Sequence, residues 1–362
     1  MPYQIRYNQV RARAPLRLGL GGGGTDLSPY SCEFGGAVLN ATIDRYAIAH
    51  LSLRDDDQIV LRADDIGRAE HLPLHLDFPL REGLWLHRAV YMHFMTHYND
   101  GQPLAVTITT SNDVPAGSGL GASSALVVAL IEAFAVMFDV PLGPYDIAQL
   151  AFSIERIELG LLGGKQDQYA AAFGGINFIE FLKDDAGVIV NPLRMRRDYI
   201  NEFESSLVIC FSGQSRESAD IIAQQVGGLK TMSDATMTAM HEIKVQAQQM
   251  KTDLLSGRIR DMAEILRRSW QSKKATATSV SNSNVERLLD VSMEAGAWAG
   301  KVSGAGGGGF IMLLTDPVRR NKIIGALNEV GGEASAVKLT FTGVEGWPVP
   351  SAVNSRDLGL RR

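Results

Sequence analysis

Three stretches of this chain hold glycines and hydroxyl residues at a density that a plain turn does not need. The densest is DVPAGSGLGASSAL (113–126), which follows an apolar, β-like run and leads into a long apolar segment. Its glycines bare backbone N–H groups, and Ser123 and Ser124 open the next helix, whose free N–H groups and dipole favour an anion. A phosphate is the natural guest, and elimination narrows the kind of loop. The pattern GxxxxGK[ST] needs a lysine that is absent. Gly117, Gly119 and Ala122 fit GxGxxA, but DVPLGPYDIAQLA then starts another helix where a dinucleotide fold needs a second strand and a ribose-binding acid. A protein-kinase glycine loop would lie between two strands and come with HRD and DFG, and neither triplet occurs. What remains is an anion cradle over Pro115, Ala116, Gly117, Ser118, Gly119, Leu120, Gly121, Ala122, Ser123 and Ser124.

The second stretch is LGLGGGGTDLSPY (18–30). Consecutive glycines carry a large conformational-entropy cost, which makes sense where backbone approaches a ligand. Gly22, Gly23 and Gly24 precede Thr25 and Asp26, a hydroxyl and an acceptor that suit a polyol. Asp26 alone reads equally well as a helix N-cap. The third stretch, KVSGAGGGGF (301–310), lies between a helix and a strand and again exceeds what a helix C-cap requires.

The bulk properties bound the rest. At 362 residues, with 45% hydrophobic and 21% charged side chains, the chain fits two globular domains. A net charge of −5 and the lack of a basic run argue against nucleic acid or an anionic membrane as partner. Cys32 and Cys210 stand alone, as two reduced thiols of a cytoplasmic protein would. The N-terminal segment has no uninterrupted apolar core, so it is not read as a signal peptide, and ALVVALIEAFAVMF (125–138) is too short to span a bilayer. A soluble, cytoplasmic protein is expected.

Strand patterns fall at 11–20, 37–54, 58–63, 104–111 and 174–182, and helical spacing at 83–98, 125–138 and 143–159. The pattern loosens at 183–200, where the domain joint is placed, giving domains 1–190 and 191–362. The second half reads as a strand at 206–212, two long helices broken near Ser256 and Gly257, a helix over 285–300, a strand at 310–315, a helix at 317–330 and a strand at 335–342. Trp298 and Met293 read as core of that 285–300 helix. Without regular βαβ alternation, α+β is the expected class.

PAGSGLGASSA resembles the central ATP loop of the GHMP kinases, the superfamily of galactokinases, homoserine kinases and mevalonate kinases. APLRLGLGGGGTD is similar to their N-terminal substrate motif and KVSGAGGGGF to their C-terminal glycine loop, in family order. The resemblance implies a GHMP kinase fold, with an N-terminal domain like ribosomal protein S5 domain 2 and a ferredoxin-like C-terminal domain. It implies ATP and Mg²⁺, with Ser124 and Glu155 in SIERIE on the metal and Glu158 in reserve. Without the resemblance, Glu155 would read as a solvated helix carboxylate. It further implies Asp167, placed just after a helix in GGKQDQYAAAFGG (163–175), as base or hydroxyl-orienting group, and Arg17 as the cation that keeps it ionised.

Within the superfamily, these motifs look closest to kinases that phosphorylate heptose 7-phosphate at C1, with fucokinases as near neighbours. Galactokinases carry a Glu-His pair before Thr-Asp that is missing here. Acceptor contacts are then expected from the first loop, from Gly304, Gly306 and Gly307 in the third, and from a basic pocket. Lys165, Arg216 and either Lys273 or Lys274 are its candidates, each equally readable as a surface charge. The expected partners are a small sugar phosphate and ATP, with a homodimer as an open option. His93 and His97 have helical metal-pair spacing but no third ligand in the sequence, so they are read as a helix surface.

Overall fold

The computed structural model describes residues 5–213, 218–230 and 234–350. Alternation builds the first sheet. In β1 (Gln9–Gly21) Val10, Ala12, Ala14, Leu16, Leu18 and Leu20 are fully buried, while Arg11 and Arg13 on the opposite face reach solvent. After the short α1 (Tyr30–Phe34), the long β2 (Gly36–Leu53) pairs antiparallel with nearly all of β1. Next come β3 (Gln58–Ala63), β4 (Arg68–Pro73) and α2 (Trp85–Tyr98). β5 (Val106–Asn112) then inserts between β2 and β3, antiparallel to the former and parallel to the latter.

The loop at 113–121 delivers the chain into α3 (Ala122–Phe138), which is apolar all round and packs between β1, β2 and the helices α2, α4 (Pro144–Phe152) and α5 (Gln166–Phe173). Phe134 stacks at 5.0 Å on Phe94 and lies beside Tyr91 and Phe138. β6 (Ile176–Phe181) pairs with the first part of β2, and β7 (Val188–Pro192) pairs with β6. Past α6 (Arg197–Ser206) come β8 (Leu207–Phe211), the helices α7 (Ser218–Lys230), α8 (Asp234–Leu255), α9 (Ile259–Lys274) and α10 (Ser283–Ala295), and β9 (Ala297–Val302). β10 (Phe310–Thr315), α11 (Arg320–Glu329) and β11 (Glu333–Ala336) complete a second, antiparallel sheet in the order β11-β8-β10-β9. The α+β class holds.

Several details differ from the sequence reading. β7 extends the first sheet through the expected joint, because the turn after β6 closes a hairpin with Leu182 N–H on Gly187 O at 2.9 Å. Residues beyond β11 leave the second sheet: Thr340 N–H bonds Thr42 O at 3.0 Å, and β12 (Glu345–Pro348) pairs with β1. The strand expected at 335–342 therefore ends as β11 at Ala336. The helix expected over 285–300 stops at Gly296, whose left-handed φ of 110° ends α10, and Trp298 lies on β9. Met293 packs on one face of the second sheet, and Trp298 on the core that the second sheet's other face shares with the first sheet. The helix expected to run to 159 widens after Phe152 into a turn whose Leu159 N–H reaches back five residues to Ile154 O at 3.0 Å. No helix among the described residues is long and apolar enough to cross a membrane.

Phe134→Ala should remove the centre of the aromatic stack and lower the free energy of unfolding by about 3–5 kcal/mol. Urea unfolding measures it, and a loss below about 1 kcal/mol would mean the cluster refills the space.

Candidate active site

Arg17 sits on the face of β1 that shows Arg11 and Arg13 to water, but at its position that face is roofed over, and Arg17 is 4% exposed. Its guanidinium donates to Asp167 Oδ1 from Nε at 2.8 Å and lies 2.6 Å from the same oxygen through Nη2. Nη1 donates to Gly119 O at 2.7 Å and to Ser303 Oγ at 3.3 Å. The side chain immediately before the 18–30 stretch thus holds a residue of the 113–126 loop, a residue of the 301–310 loop and the Asp167 carboxylate. The two loops meet directly as well. A Cβ on Gly119 would lie 2.6 Å from Ser303 O and one on Gly304 2.6 Å from Gly119 O, at φ of 80° and 76°, so both positions require glycine.

A cleft of about 560 Å³ opens beside this junction. Ala116, Gly117, Ser118, Gly119, Gly121, Ala122, Ser123 and Ser124 line it, whereas Pro115 and Leu120 do not. Leu120 is buried in the core, and its carbonyl accepts from Arg17 N–H at 3.0 Å, which anchors the loop to β1. At the start of α3, Ser124 Oγ donates to Glu155 Oε1 at 3.1 Å, and Gln168 Nε2 donates to Glu155 Oε2 at 2.6 Å. Glu155 is fully buried, not solvated, because the widened turn after α4 rotates it inward. Burial raises its carboxyl above the ordinary value, against the pull of Arg156 and the two hydrogen bonds. A hydroxyl and a carboxylate held together at a helix start form an oxygen pair that suits a hard divalent cation with phosphate oxygens and water as its other ligands. Glu158 faces elsewhere and bonds His93 Nδ1 at 3.2 Å. The His93 and His97 rings lie 4.4 Å apart and tilted at 45°, and no group of three metal-ligating side chains occurs among the described residues.

Asp167 stands in the first turn of α5, not past the end of a helix, so its carboxylate lies at the positive end of the helix dipole. Asp26 fixes that helix start: its Oδ2 accepts from Gln166 N–H at 3.1 Å and its Oδ1 from Gln166 Nε2 at 3.1 Å and Gly24 N–H at 3.1 Å. Asp26 and Gly24 line the cleft. Thr25 does not: it is fully buried, and its hydroxyl is spent on Gly22 O at 2.8 Å and Ala37 at 3.0 Å. Gly22 and Gly23 turn the loop, with carbonyls that accept from Thr25 and from Lys273. Of the third-loop glycines singled out, Gly304 reaches the cleft, beside Ala305; Gly306 packs on Val280, and Gly307 N–H bonds Val280 O at 2.6 Å.

The lysine candidates separate. Lys165 points away, paired with Asp185 and lying 4.9 Å over Phe152, and Lys274 pairs with Glu286 at 3.2 Å. Arg216 lies outside the described residues. Lys273 lines the cleft and donates to Gly23 O at 2.9 Å. Burial lowers its ammonium to about 8, opposed by Asp26 and aided by Arg17. Sequence reasoning missed Lys301, which donates to Gly19 O at 2.9 Å and is pushed down to about 7 by burial, then by Lys273 and Arg17. It also missed Arg156, whose Nη1 lies 3.7 Å from Glu155, and the apolar end of the cleft at Ala63, Ile66, Leu84 and Trp85. Arg156 and Lys301 stand inside motifs already singled out, but nothing local shows which way a lysine or arginine points.

Two family models match the chain. The GHMP kinases N terminal domain matches residues 86–175 and the GHMP kinases C terminal model residues 250–333. The chain belongs to the GHMP kinase family. It is 40% identical over 346 residues to the D-glycero-alpha-D-manno-heptose 7-phosphate kinase of Campylobacter jejuni, covering 94% of this chain and 99% of that protein. The crystal structure of a D-glycero-D-manno-heptose 1-phosphate kinase from Bacteroides thetaiotaomicron superposes with a TM-score of 0.81 at 40% identity, covering 94% of this chain and all of that one. The L-fucokinase/L-fucose-1-P guanylyltransferase of Bacteroides fragilis is 27% identical over 364 residues, covering 92% of this chain but 38% of that protein.

Glu155 gives a test through pH. Its folded-state carboxyl titrates above the unfolded value, so the stability it contributes is whole below the ordinary carboxylate range and is lost as pH rises through the raised value. Glu155→Gln escapes that loss, and Gln168 can turn its unpartnered Oε1 to accept from the new amide. The variant should melt near wild type at about pH 4 and above it at about pH 8. A melting difference independent of pH would refute a buried, ionised Glu155.

Proposed function

We propose that this chain transfers the terminal phosphoryl group of ATP to the anomeric C1 hydroxyl of D-glycero-D-manno-heptose 7-phosphate, giving heptose 1,7-bisphosphate. That product would feed nucleotide-activated heptose for surface polysaccharide in the cytoplasm. The observation that carries this reading is Arg17 clamping Asp167 where the middle and third loops meet. The relative named for heptose 7-phosphate, matched over nearly the full length of both chains, supports the choice of acceptor.

Phosphoryl transfer is mostly positioning and charge neutralisation. N–H groups of residues 117–124 and the start of α3 cradle the ATP phosphates. The apolar end at Ala63, Ile66 and Trp85 takes the base. Ser124 and Glu155 would hold Mg²⁺, which neutralises phosphate charge when bound. Both Arg17 contacts with Asp167 fall on Oδ1, so Oδ2 is the oxygen left to the acceptor hydroxyl. The positive guanidinium favours the ionised carboxylate and offsets charge that develops on the attacking oxygen. The anomeric hydroxyl is the most acidic of a reducing sugar, so a weak base suffices. As the bond from the C1 oxygen to the terminal phosphorus forms and the bond from that phosphorus to the bridging oxygen of ADP breaks, the C1 hydroxyl proton passes to Asp167 Oδ2, and ADP leaves. The first loop and the Asp26–Gln166 clamp form the wall along which the sugar lies.

Purified protein should release ADP with ATP and heptose 7-phosphate, and far less with L-fucose, the acceptor that the fucokinase likeness favours. Preference for fucose or for heptose 1-phosphate would replace the acceptor, and silence with every sugar would remove the activity. Asp167→Asn should lower kcat by about 10²- to 10⁴-fold while nucleotide affinity is kept. Near-normal turnover would remove Asp167 from the chemistry.

A further inference from the structure

Lys273 ends one face of the cleft in a way the reaction described above does not use. It comes from the last turn of α9, enters beside the first glycine loop and is 5% exposed. An ammonium has three N–H donors. One goes to Gly23 O at 2.9 Å, and the other two have no hydrogen-bond partner among the described residues. Lys273 forms no ion pair there either. Asp26 is the carboxylate that acts on it, but the Asp26 oxygens are already committed to Gly24 and Gln166. A buried ammonium with no ion-pair contact and two unmet donors is costly unless a ligand brings acceptors and charge to it.

A merely structural lysine would look different, and the chain contains one. Lys301 makes the same kind of bond to the same loop, at Gly19 O, yet does not line the cleft. Two other cations of the cleft are placed for other contacts: Arg17 is bonded to Asp167, and Arg156 leans on Glu155 and Gly164. Arg68, on β4 opposite Ala63, is exposed at the apolar end of the cleft rather than buried beside the first glycine loop. The path from the reacting centre to Lys273 is continuous: Asp167 follows Gln166, Asp26 bonds Gln166 and Gly24, and a Cβ on Gly24 would lie 3.3 Å from Lys273 Nζ. Leu27 and Ile222 line the cleft at this end and help keep water from the ammonium.

We propose that the Lys273 ammonium binds the phosphate monoester that the acceptor already carries, and so selects a phosphorylated sugar over its neutral parent. The inference rests on the acceptor being a sugar phosphate. It goes further in naming the group that reads that phosphate and in setting aside Lys165 and Lys274.

The test compares heptose 7-phosphate with unphosphorylated D-glycero-D-manno-heptose in wild type, Lys273→Met and Lys273→Gln. In the variants the ratio of kcat/KM for the phosphorylated over the neutral sugar should fall about 10- to 100-fold. The fall should come through the KM for heptose 7-phosphate, with the KM for ATP and for neutral heptose unchanged. An unchanged ratio, an equal loss on both sugars, or a change confined to ATP overturns the proposal; the second of these is what a loop staple would give. If the variants do not fold, wild type answers with inorganic phosphate as competitor. Competition against heptose 7-phosphate but not against neutral heptose supports a phosphate subsite, and equal or no inhibition refutes it. A wild type that ignores heptose 7-phosphate removes the acceptor reading itself, whereas an active wild type with indifferent variants removes only Lys273.

Discussion

A buried guanidinium has to be answered by acceptors, and in this chain the acceptors of Arg17 come from three places far apart in sequence. Asp167 Oδ1, Gly119 O and Ser303 Oγ surround it. Removing any of them leaves charge or donors unmet in a low-dielectric setting, which is costly. The loops are therefore held together by the same contact that orients the carboxylate. Glycines at 119 and 304 allow the backbones to close to the distance this contact needs.

Around that junction the cleft divides its electrostatic work. One side offers backbone N–H groups and a helix start, which can meet several phosphate oxygens without any lysine. The other holds the buried cations Arg17 and Lys273, with Lys301 behind them: burial lowers both ammoniums, Arg17 adds to the lowering of each, and Lys273 adds to that of Lys301. Asp26 and Asp167 stand among them as carboxylates of the cleft wall, with Asp65 and Glu155 lining it elsewhere. An excess of buried positive charge is a burden on the empty fold that an anionic guest relieves. Glu155 carries a comparable burden of opposite sign beside Ser124. Strained electrostatics of this kind concentrate where function demands them.

The features legible in the sequence were those with a local signature. Glycine runs, the apolar helix after them and the strand pattern of β1 depend on neighbours within a few residues, and each stands where it was read. Asp167 and Arg17 were legible only through the motifs that flank them. What escaped depended on long-range packing. The burial of Glu155 follows from one widened turn, and the choice among Lys165, Lys273 and Lys274 depends on whether Asp185, Gly23 or Glu286 receives the ammonium. Thr25 looked like a ligand because a hydroxyl beside glycines suits a polyol, yet its partners Gly22 and Ala37 absorb it. The return of β12 to β1 joins residues more than 330 positions apart (Val10 with Pro348), and no window of sequence registers that.

The most direct test of the account is a crystal structure with a non-hydrolysable ATP analogue and heptose 7-phosphate bound together. The account requires residues 117–124 on the nucleotide phosphates and Asp167, still held by Arg17, within hydrogen-bond reach of the C1 hydroxyl in line with the terminal phosphorus. A complex in which Asp167 turns from the sugar, or the middle loop leaves the phosphates untouched, would contradict it.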